Sequence, residues 1–303
     1  MAIIDFHAHF FSRTFFETLA GQSPLPGTPE ERLAKVVAKT GIELPPEDVG
    51  QHLARWVEDL DRREVEHMAT FASVPEEIPV VGEAAAQSNG RLSAFALVNP
   101  TVEGVPERVG GLLEGGVFKG VLVFPAMHHY HIGGPEARAL LEVLNEHKAT
   151  IYVHCGLLVV KLRDLLGLPR PQDLTYANPL SLVPAANAFP DVNFVIPHFG
   201  AGFFREALFA GSQCSNVYVD TSSSNSWRRT QFPCPSLREV FERTLDVLGP
   251  KRIVFGTDSN TFPTGWRNDR YEEQKAALQT CGVSSDDQEL VFAGNARRLL
   301  GLS

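Results

Sequence analysis

The chain has 303 residues, of which 44% are hydrophobic and 21% are charged, and a formal net charge of −9 at pH 7. This length allows one large α/β barrel or two smaller domains, with enough apolar chain to bury a core. The acidic balance argues against a general nucleic-acid partner. The four cysteines are far apart and form no C-x-x-C pair, which argues against a disulfide framework or a cysteine zinc site. No signal-like stretch or membrane-length apolar run is evident, so we expect a cytoplasmic protein with no membrane partner.

The first predicted element is a strand over residues 2–9 that ends in the sequence His7-Ala8-His9. Side chains alternate along a strand, so His7 and His9 are predicted to share one face with Ile3 and Asp5. Two neighbouring imidazoles at the end of an apolar strand are half of the ligand set of a divalent metal. Asp5, one layer deeper, either orients a metal ligand or packs as a polar residue of the interior.

A long polar segment over residues 10–50 follows this strand. It contains a predicted helix near Pro29–Thr40 and a Pro45-Pro46 stop. An excursion of this length at the carboxyl end of a strand is often a lid or a pocket wall. The segment begins with several phenylalanines, of which Phe10 is a candidate substrate contact, although packing within the lid explains them equally well.

The rest of the chain alternates between predicted strands and helices. Seven further short apolar strands are predicted over residues 67–72, 92–98, 118–124, 150–154, 192–197, 216–220 and 252–255. Strands of this kind, each followed by a helix, indicate a parallel sheet covered on its outer face. Eight such units in about 300 residues favour a single (β/α)8 TIM barrel over residues 1–303, with an extended insertion after strand 1. The alternative is an open doubly wound sheet, but His-Ala-His-Phe stands where its glycine-rich loop would be.

Several predicted strands end in residues that bind metals. Strand five ends at His154, strand six at His198, and strand eight at Asp258. Catalytic groups of such barrels lie at the carboxyl ends of the strands, so these side chains are expected to meet His7 and His9 at one mouth. Imidazoles with one carboxylate suit Zn²⁺, Mn²⁺ or Fe²⁺, with zinc as the default. A position left open for water would give an activated nucleophile.

The order His-x-His, His, His and Asp on strands one, five, six and eight resembles the amidohydrolase superfamily. Five further stretches are similar to its amidohydrolase-2 branch, which includes aminocarboxymuconate-semialdehyde decarboxylase: residues 119–121, 178–180, 194–200, 255–259 and 294–300. The resemblance implies that His7, His9, His154 and Asp258 bind one divalent metal ion. It also implies that His198 acts beside the metal as acid or base.

Members of the superfamily with two metals need a bridging lysine or glutamate at the end of strand four. Here that end reads Leu122-Val123-Phe124-Pro125. Lys119 precedes it by about five residues, or roughly 15 Å along a strand, which is too far to bridge. A single metal is therefore favoured, and the same absence argues against a TatD-type nuclease.

Two weaker candidates follow strands four and seven. His128 could line the pocket, but a solvated loop histidine is the better explanation. Arg228 could hold a substrate carboxylate through paired hydrogen bonds, but an exposed arginine is the ordinary case.

Three functions are compatible with this pattern. The first is a metal-dependent hydrolase that attacks a carbonyl of a small amide, ester or lactone, with His198 or Asp258 transferring the proton. The second is a metal-dependent decarboxylase of an unsaturated or aromatic acid. The third, an inactive metal-binding scaffold, is disfavoured because no expected ligand is missing. A homodimer is expected from the resemblance alone.

Overall fold

A computed structural model describes residues 1–222 and 225–302. Eight parallel strands follow one another around a single sheet in chain order: β1 (Ile4–His9), β2 (His67–Ala72), β3 (Leu92–Leu97), β4 (Phe118–Val123), β5 (Thr150–Val153), β6 (Asn193–Ile196), β7 (Val217–Asp220) and β8 (Ile253–Val254). The chain at and after β8 returns to β1, because the Phe6 amide donates to the Phe255 carbonyl at 2.8 Å and the His9 amide donates to the Ser259 carbonyl at 2.7 Å. The predicted (β/α)8 barrel is confirmed.

Helices separate the strands and cover the barrel. They are α1 (Arg13–Gln22), α2 (Pro29–Thr40), α3 (Val49–Arg62), α4 (Ile78–Gln87), α5 (Val105–Glu114), α6 (Pro125–His128), α7 (Pro135–Glu146), α8 (Lys161–Leu165), α9 (Val183–Ala188), α10 (Phe204–Gln213), α11 (Leu237–Leu248), α12 (Asn268–Thr280), α13 (Ser285–Glu289) and α14 (Asn295–Leu300). The helix predicted over Pro29–Thr40 is confirmed, whereas α1 was not predicted. A π-helical turn over Leu290–Gly294 separates α13 from α14. In the described part of the chain, no helix is long and apolar enough to cross a membrane.

The hydrophobic core has two main layers. The inner core fills the barrel with aromatic and aliphatic side chains, which include Ile4, Phe6, Phe71, Phe95, Leu122, Tyr152, Val195 and Val254. The outer core lies between the strands and the surrounding helices. Burial on both faces explains why the strands are almost continuously apolar.

The pairing of β1 with β2 contains a register shift. Asp5 pairs with Met68, but Ala8 pairs with Thr70, so three steps along β1 match two steps along β2. An extra residue of this kind changes the face on which the following side chains lie.

This shift overturns one expectation about β1. Phe6 and His7, although adjacent, both contact the ring of Tyr152 at a centroid distance of 5.6 Å. Ile3 belongs instead to the outer core. The prediction that Ile3, Asp5, His7 and His9 share one face is therefore wrong, because strict alternation does not continue through the shift.

The insertion over residues 10–50 carries α1 and α2 and packs on the segment that follows β5. A third hydrophobic cluster joins Phe15, Phe16 and Leu19 of α1, Leu33 and Val36 of α2, and Leu166 and Leu168 after β5. The Ser23 hydroxyl also donates to the Leu166 carbonyl at 2.6 Å. The two segments thus share a small core of their own above the barrel.

Candidate metal centre and cavity

A cavity of about 880 Å³ opens at the carboxyl ends of the strands. Its lining includes His7, His9, His154, His198 and Asp258. The insertion and the segment after β5 form much of the remaining wall, and most of their side chains there are apolar. The volume is within the range of small-molecule sites, and the carboxyl face is where barrels of this type carry their chemistry.

Three side chains converge closely in this cavity. The Nε2 atoms of His7 and His9 lie 3.8 and 3.4 Å from Oδ1 of Asp258. One ligand atom from each of the three residues lies within 4.8 Å of the others. We call these residues the metal cluster. Burial acts to raise the pKa of Asp258, but the hydrogen bond from His9 and the charges of His198 and His7 hold it well below its usual value.

Asp220, at the end of β7, fixes the ring of His7 from behind. Its Oδ2 lies 2.6 Å from Nδ1 of His7. An ionised carboxylate only accepts hydrogen bonds, so Nδ1 of His7 carries a proton, while Nε2 is the nitrogen nearer Asp258. Burial acts to lower the pKa of His7, but the charge and hydrogen bond of Asp220 raise it overall.

His9 is supported from the end of β2. Its Nδ1 lies 2.7 Å from Oγ of Ser73. The buried carboxylate of Glu77 accepts from the Ser73 amide at 2.8 Å and from the Ser12 amide at 2.5 Å. Glu77 thereby connects the residue behind His9 to the start of the insertion. Hydrogen bonds of this kind orient metal-binding imidazoles.

His198 follows β6 and shares its support with His7. The Ser222 hydroxyl donates to Asp220 and lies 2.8 Å from Nδ1 of His198. Because that hydroxyl has given away its only proton, it accepts from Nδ1 of His198 and leaves Nε2 of this histidine unprotonated. Asp220 also accepts from the His198 backbone amide at 2.9 Å. One carboxylate therefore positions both histidines.

The backbone of this rim takes unusual conformations. His198 has φ of 55° and Asp258 has φ of 59°, values that non-glycine residues adopt only when their surroundings impose them. Gly256 stands beside the metal cluster, and a Cβ atom there would lie 2.7 Å from Cβ of His7. Only glycine fits so close to this strand.

Asp5 holds two chain segments of the site together. Its carboxylate accepts from the backbone amides of His7 at 3.0 Å and Thr257 at 3.1 Å, and from the indole of Trp266 at 2.8 Å. Burial raises the pKa of Asp5 to about 6. The two predicted roles were to orient a metal ligand or to pack as a polar interior residue. Among the described residues, Asp5 binds the backbone amide of His7 and makes no hydrogen bond to an imidazole nitrogen.

Comparison with known proteins places this site in a family. Residues 4–302 match the protein family described as Amidohydrolase. The chain belongs to the amidohydrolase family. No curated protein matches the sequence of this amidohydrolase.

Solved structures share the fold of this amidohydrolase. A probable 2-pyrone-4,6-dicarboxylic acid hydrolase from Acinetobacter baumannii, with citric acid bound, is 15% identical with a TM-score of 0.64, and the match covers 100% of each chain. A 5-carboxyvanillate decarboxylase from Sphingomonas paucimobilis is 12% identical with a TM-score of 0.65, covering 100% of this chain and 99% of that chain. A 2,6-dihydroxybenzoate decarboxylase from Rhizobium is 18% identical with a TM-score of 0.58, covering 99% of both.

The donor set of this amidohydrolase fits a divalent metal ion. The metal cluster offers two Nε2 atoms and a carboxylate, and hydrogen bonds hold both imidazoles by their other nitrogen. A second group, His7, His198 and Asp220, is also compact. Asp220 already accepts from Nδ1 of His7 and from the backbone amide of His198, and Nδ1 of His198 contacts Ser222, so this second group is a support for the first.

His154 lies beside the metal cluster but outside it. Its ring is 5.4 Å from that of His198 and 5.1 Å from that of Phe124, centroid to centroid. Burial holds the pKa of His154 well below its usual value, so the imidazole is neutral. His154 belongs to neither compact group of described residues. Its predicted role as a metal ligand stays a prediction.

Phe10, a candidate substrate contact, is not among the described residues that line the cavity. Its side chain is fully buried in the outer core and its ring lies 4.5 Å from that of His52. The lining of the cavity by described residues includes Phe11, Phe15 and Phe16 instead. Phe10 follows His9 directly, so it points to the opposite face.

Of the remaining candidates, His128 lines the cavity, whereas Arg228 and Lys119 are not among the described residues that line it. His128 lines the cavity, and its Nδ1 is buried with no hydrogen-bond partner in the described residues. Arg228 is not among the described residues that line the cavity, and its Nη1 donates to the Pro235 carbonyl at 3.2 Å. Lys119 lies at the start of β4 and is likewise outside that lining.

The sequence did not predict the supporting residues Asp220, Ser222, Ser73 and Glu77. Asp220 is the last residue of β7, a position similar to those of His154 and His198 after β5 and β6. The rule that functional groups lie at the carboxyl ends of barrel strands would have found it. Ser73 immediately follows β2, but a serine there carries no distinctive signal.

Proposed function

We propose that this amidohydrolase is a metal-dependent hydrolase that acts on a carbonyl of a small organic substrate. The observation that carries the proposal is the metal cluster. Its two imidazoles present Nε2 beside one carboxylate, and their other nitrogens are held from behind. A small-molecule site of this type needs an apolar wall beside a few polar groups, and the lining of this cavity supplies it.

We propose one ion, bound by His7, His9 and Asp258 with His154 as a further ligand, and zinc as its identity. Nitrogen ligands with a single carboxylate favour zinc, although manganese and iron accept the same set. When bound, such an ion lowers the pKa of water and polarises a carbonyl oxygen.

His198 is the proposed acid and base. Its Nδ1 proton is engaged by Ser222, so Nε2 accepts a proton from the attacking water and returns it to the leaving group. Burial lowers the pKa of His198, which keeps Nε2 unprotonated and able to accept near neutral pH. Asp258, ionised in this site, is the second group able to exchange a proton. Asp220 holds the backbone of His198 and the ring of His7 in one arrangement.

A decarboxylase remains the alternative because the same residues serve both reactions. Two of the structural neighbours are named as decarboxylases of aromatic acids and one as a hydrolase of a pyrone dicarboxylic acid. An inactive scaffold is disfavoured because no expected ligand is missing from the sequence.

A substrate screen of the zinc-loaded protein tests the proposal. Lactones, esters and amides of small organic acids are followed by proton release, and aromatic acids are followed by CO₂ release. We expect hydrolysis that a chelator abolishes and zinc restores. CO₂ release without hydrolysis would replace the hydrolase with the decarboxylase, and turnover insensitive to the chelator would contradict both. A cytoplasmic location and a homodimer stay predictions.

A further inference from the structure

The segment after β5 places a cation on the wall of the cavity. Arg163 lies in α8, lines the cavity and is about half-buried. Its Nε atom is buried without any hydrogen-bond partner in the described residues. Its Nη2 makes one long contact, 3.3 Å, to the Pro169 carbonyl. Most of the donor capacity of this guanidinium is therefore unused.

Neighbouring acids do not neutralise Arg163. The adjacent carboxylate, Asp164, is occupied by Arg170 through two hydrogen bonds, at 2.8 and 2.5 Å. Glu76 is the acid lining the cavity besides Asp258, and neither forms an ion pair with Arg163 among the described residues. Burial lowers the pKa of Arg163, with no acid acting in the opposite sense. An arginine remains charged under these conditions, so its desolvation is uncompensated.

The fold holds this cation in place before any ligand arrives. Leu166 and Leu168 anchor the segment in the cluster shared with α1. The Leu168 amide donates to the Arg163 carbonyl at 2.9 Å, and the Ser23 hydroxyl holds the Leu166 carbonyl. A partly buried, anchored guanidinium whose Nε has no partner among the described residues is suited to bind a planar anion through two hydrogen bonds.

We propose that Arg163 forms an anion subsite of the cavity, which binds a carboxylate of an otherwise apolar organic acid. The inference rests on the proposed function for the reacting end of the substrate and adds the recognition of its other end. The metal cluster lies on β1 and the turn after β8, whereas Arg163 lies after β5, so the substrate bridges two walls. The apolar lining between them accommodates a ring or a branched hydrocarbon body.

Binding of two probes tests the subsite. Isophthalate carries carboxylates, and isophthalamide has the same shape without charge. We expect Arg163→Met to weaken isophthalate binding at least about tenfold, which corresponds to about 1.4 kcal/mol, and to change isophthalamide binding less than about twofold. Arg163→Gln, which keeps hydrogen-bonding capacity but not charge, should weaken isophthalate similarly. The matched control is Arg138→Met, an exposed arginine on α7.

The measurement is made by calorimetry on zinc-loaded and on metal-stripped protein, with the melting temperature of each variant recorded. The proposal predicts weaker isophthalate binding by the Arg163 variants in both the zinc-loaded and the metal-stripped protein. Failure of the metal site would instead appear as a low zinc content, so the two failures can be told apart. Unchanged isophthalate binding in both Arg163 variants would overturn the subsite. Equal weakening of both probes, or no binding of isophthalate by the unmodified protein, would overturn it too.

Discussion

The two sides of the cavity are built in different ways. On the side of β1 and the turn after β8, His7, His9 and Asp258 are supported by a buried network that includes Asp220 and Ser73. On the side of the insertion and the segment after β5, the wall is mostly apolar, and Leu157 and Val159 are 43% and 56% exposed.

This difference indicates that one side of the cavity serves the reaction and the other serves recognition of the substrate. Strand ends held by hydrogen bonds across the barrel fix the geometry that chemistry requires, whereas loops outside the barrel tolerate change in length and composition. We expect substitutions on the first side to alter metal binding or turnover. Substitutions on the second side should alter substrate affinity.

The largest effect is expected from His198→Asn. Asparagine keeps polarity but cannot exchange the proton, so turnover should fall by about 10² to 10⁴-fold while zinc content stays unchanged. Steady-state kinetics and metal analysis check this prediction. Full activity in the variant would show that proton transfer does not depend on His198.

Glu77 connects the two sides, and its burial raises its pKa to about 7 from 4.5. Between pH 4.5 and 7 the unfolded chain releases this proton while the folded protein retains it, so stability falls as the pH rises. The shift corresponds to about 3 kcal/mol of lost unfolding free energy, which levels off above pH 7.

Urea unfolding at pH 5 and pH 7.5 measures this change. Glu77→Gln should lack this pH dependence, so the difference in unfolding free energy between the variant and the unmodified protein should change by about 2 kcal/mol across the interval. Glu76→Gln, at the exposed neighbouring residue, is the control. A constant difference between Glu77→Gln and the unmodified protein would contradict the assigned shift.

Asp220→Asn should weaken zinc binding about 10- to 100-fold, since the amide no longer fixes the tautomer of His7 as a carboxylate does. Competition with a chromogenic chelator measures the affinity. Asp191→Asn, an exposed acid before β6, is the matched control. Equal zinc affinity in the two variants would show that Asp220 does not support zinc binding by the metal cluster.

The smallest effect is expected from Phe15→Leu on the apolar side. Phe15 stacks on Phe11 at a centroid distance of 3.9 Å and lines the cavity. We expect KM to rise about three- to tenfold with kcat and zinc content unchanged, because aromatic packing contributes about 1 kcal/mol. Phe209→Leu, exposed on α10, is the control. A loss of kcat with KM unchanged would contradict the assignment of this side of the cavity to substrate affinity.

The sequence predicted the barrel and the histidines and aspartate at its rim because both follow local rules. Apolar strands alternate with helices, and the candidate ligands His154 and Asp258 stand where strands end. These rules need no knowledge of distant contacts. The family match and the topology of the sheet agree with them.

What could not be predicted depends on pairing between distant segments. The register shift in β1 arises from its pairing with β2, and it separates Ile3 and Asp5 from the histidines. Phe11, with φ of 40°, turns toward the cavity while Phe10 enters the outer core, and no sequence pattern marks such a turn. Asp164, the acid next to Arg163 in the sequence, is paired with Arg170 instead. The sequence does not reveal this pairing, so it could not single out Arg163 as a candidate anion site.

The proposed hydrolase depends most directly on one divalent ion bound by the metal cluster. Zinc content is measured by mass spectrometry after dialysis of the unmodified protein and of His9→Ala and Asp258→Ala variants whose folding is checked by circular dichroism. We predict one zinc ion per chain in the unmodified protein and loss of that ion in both variants. Zinc retained at full occupancy in the folded variants, or no zinc bound by the unmodified protein, would contradict the account.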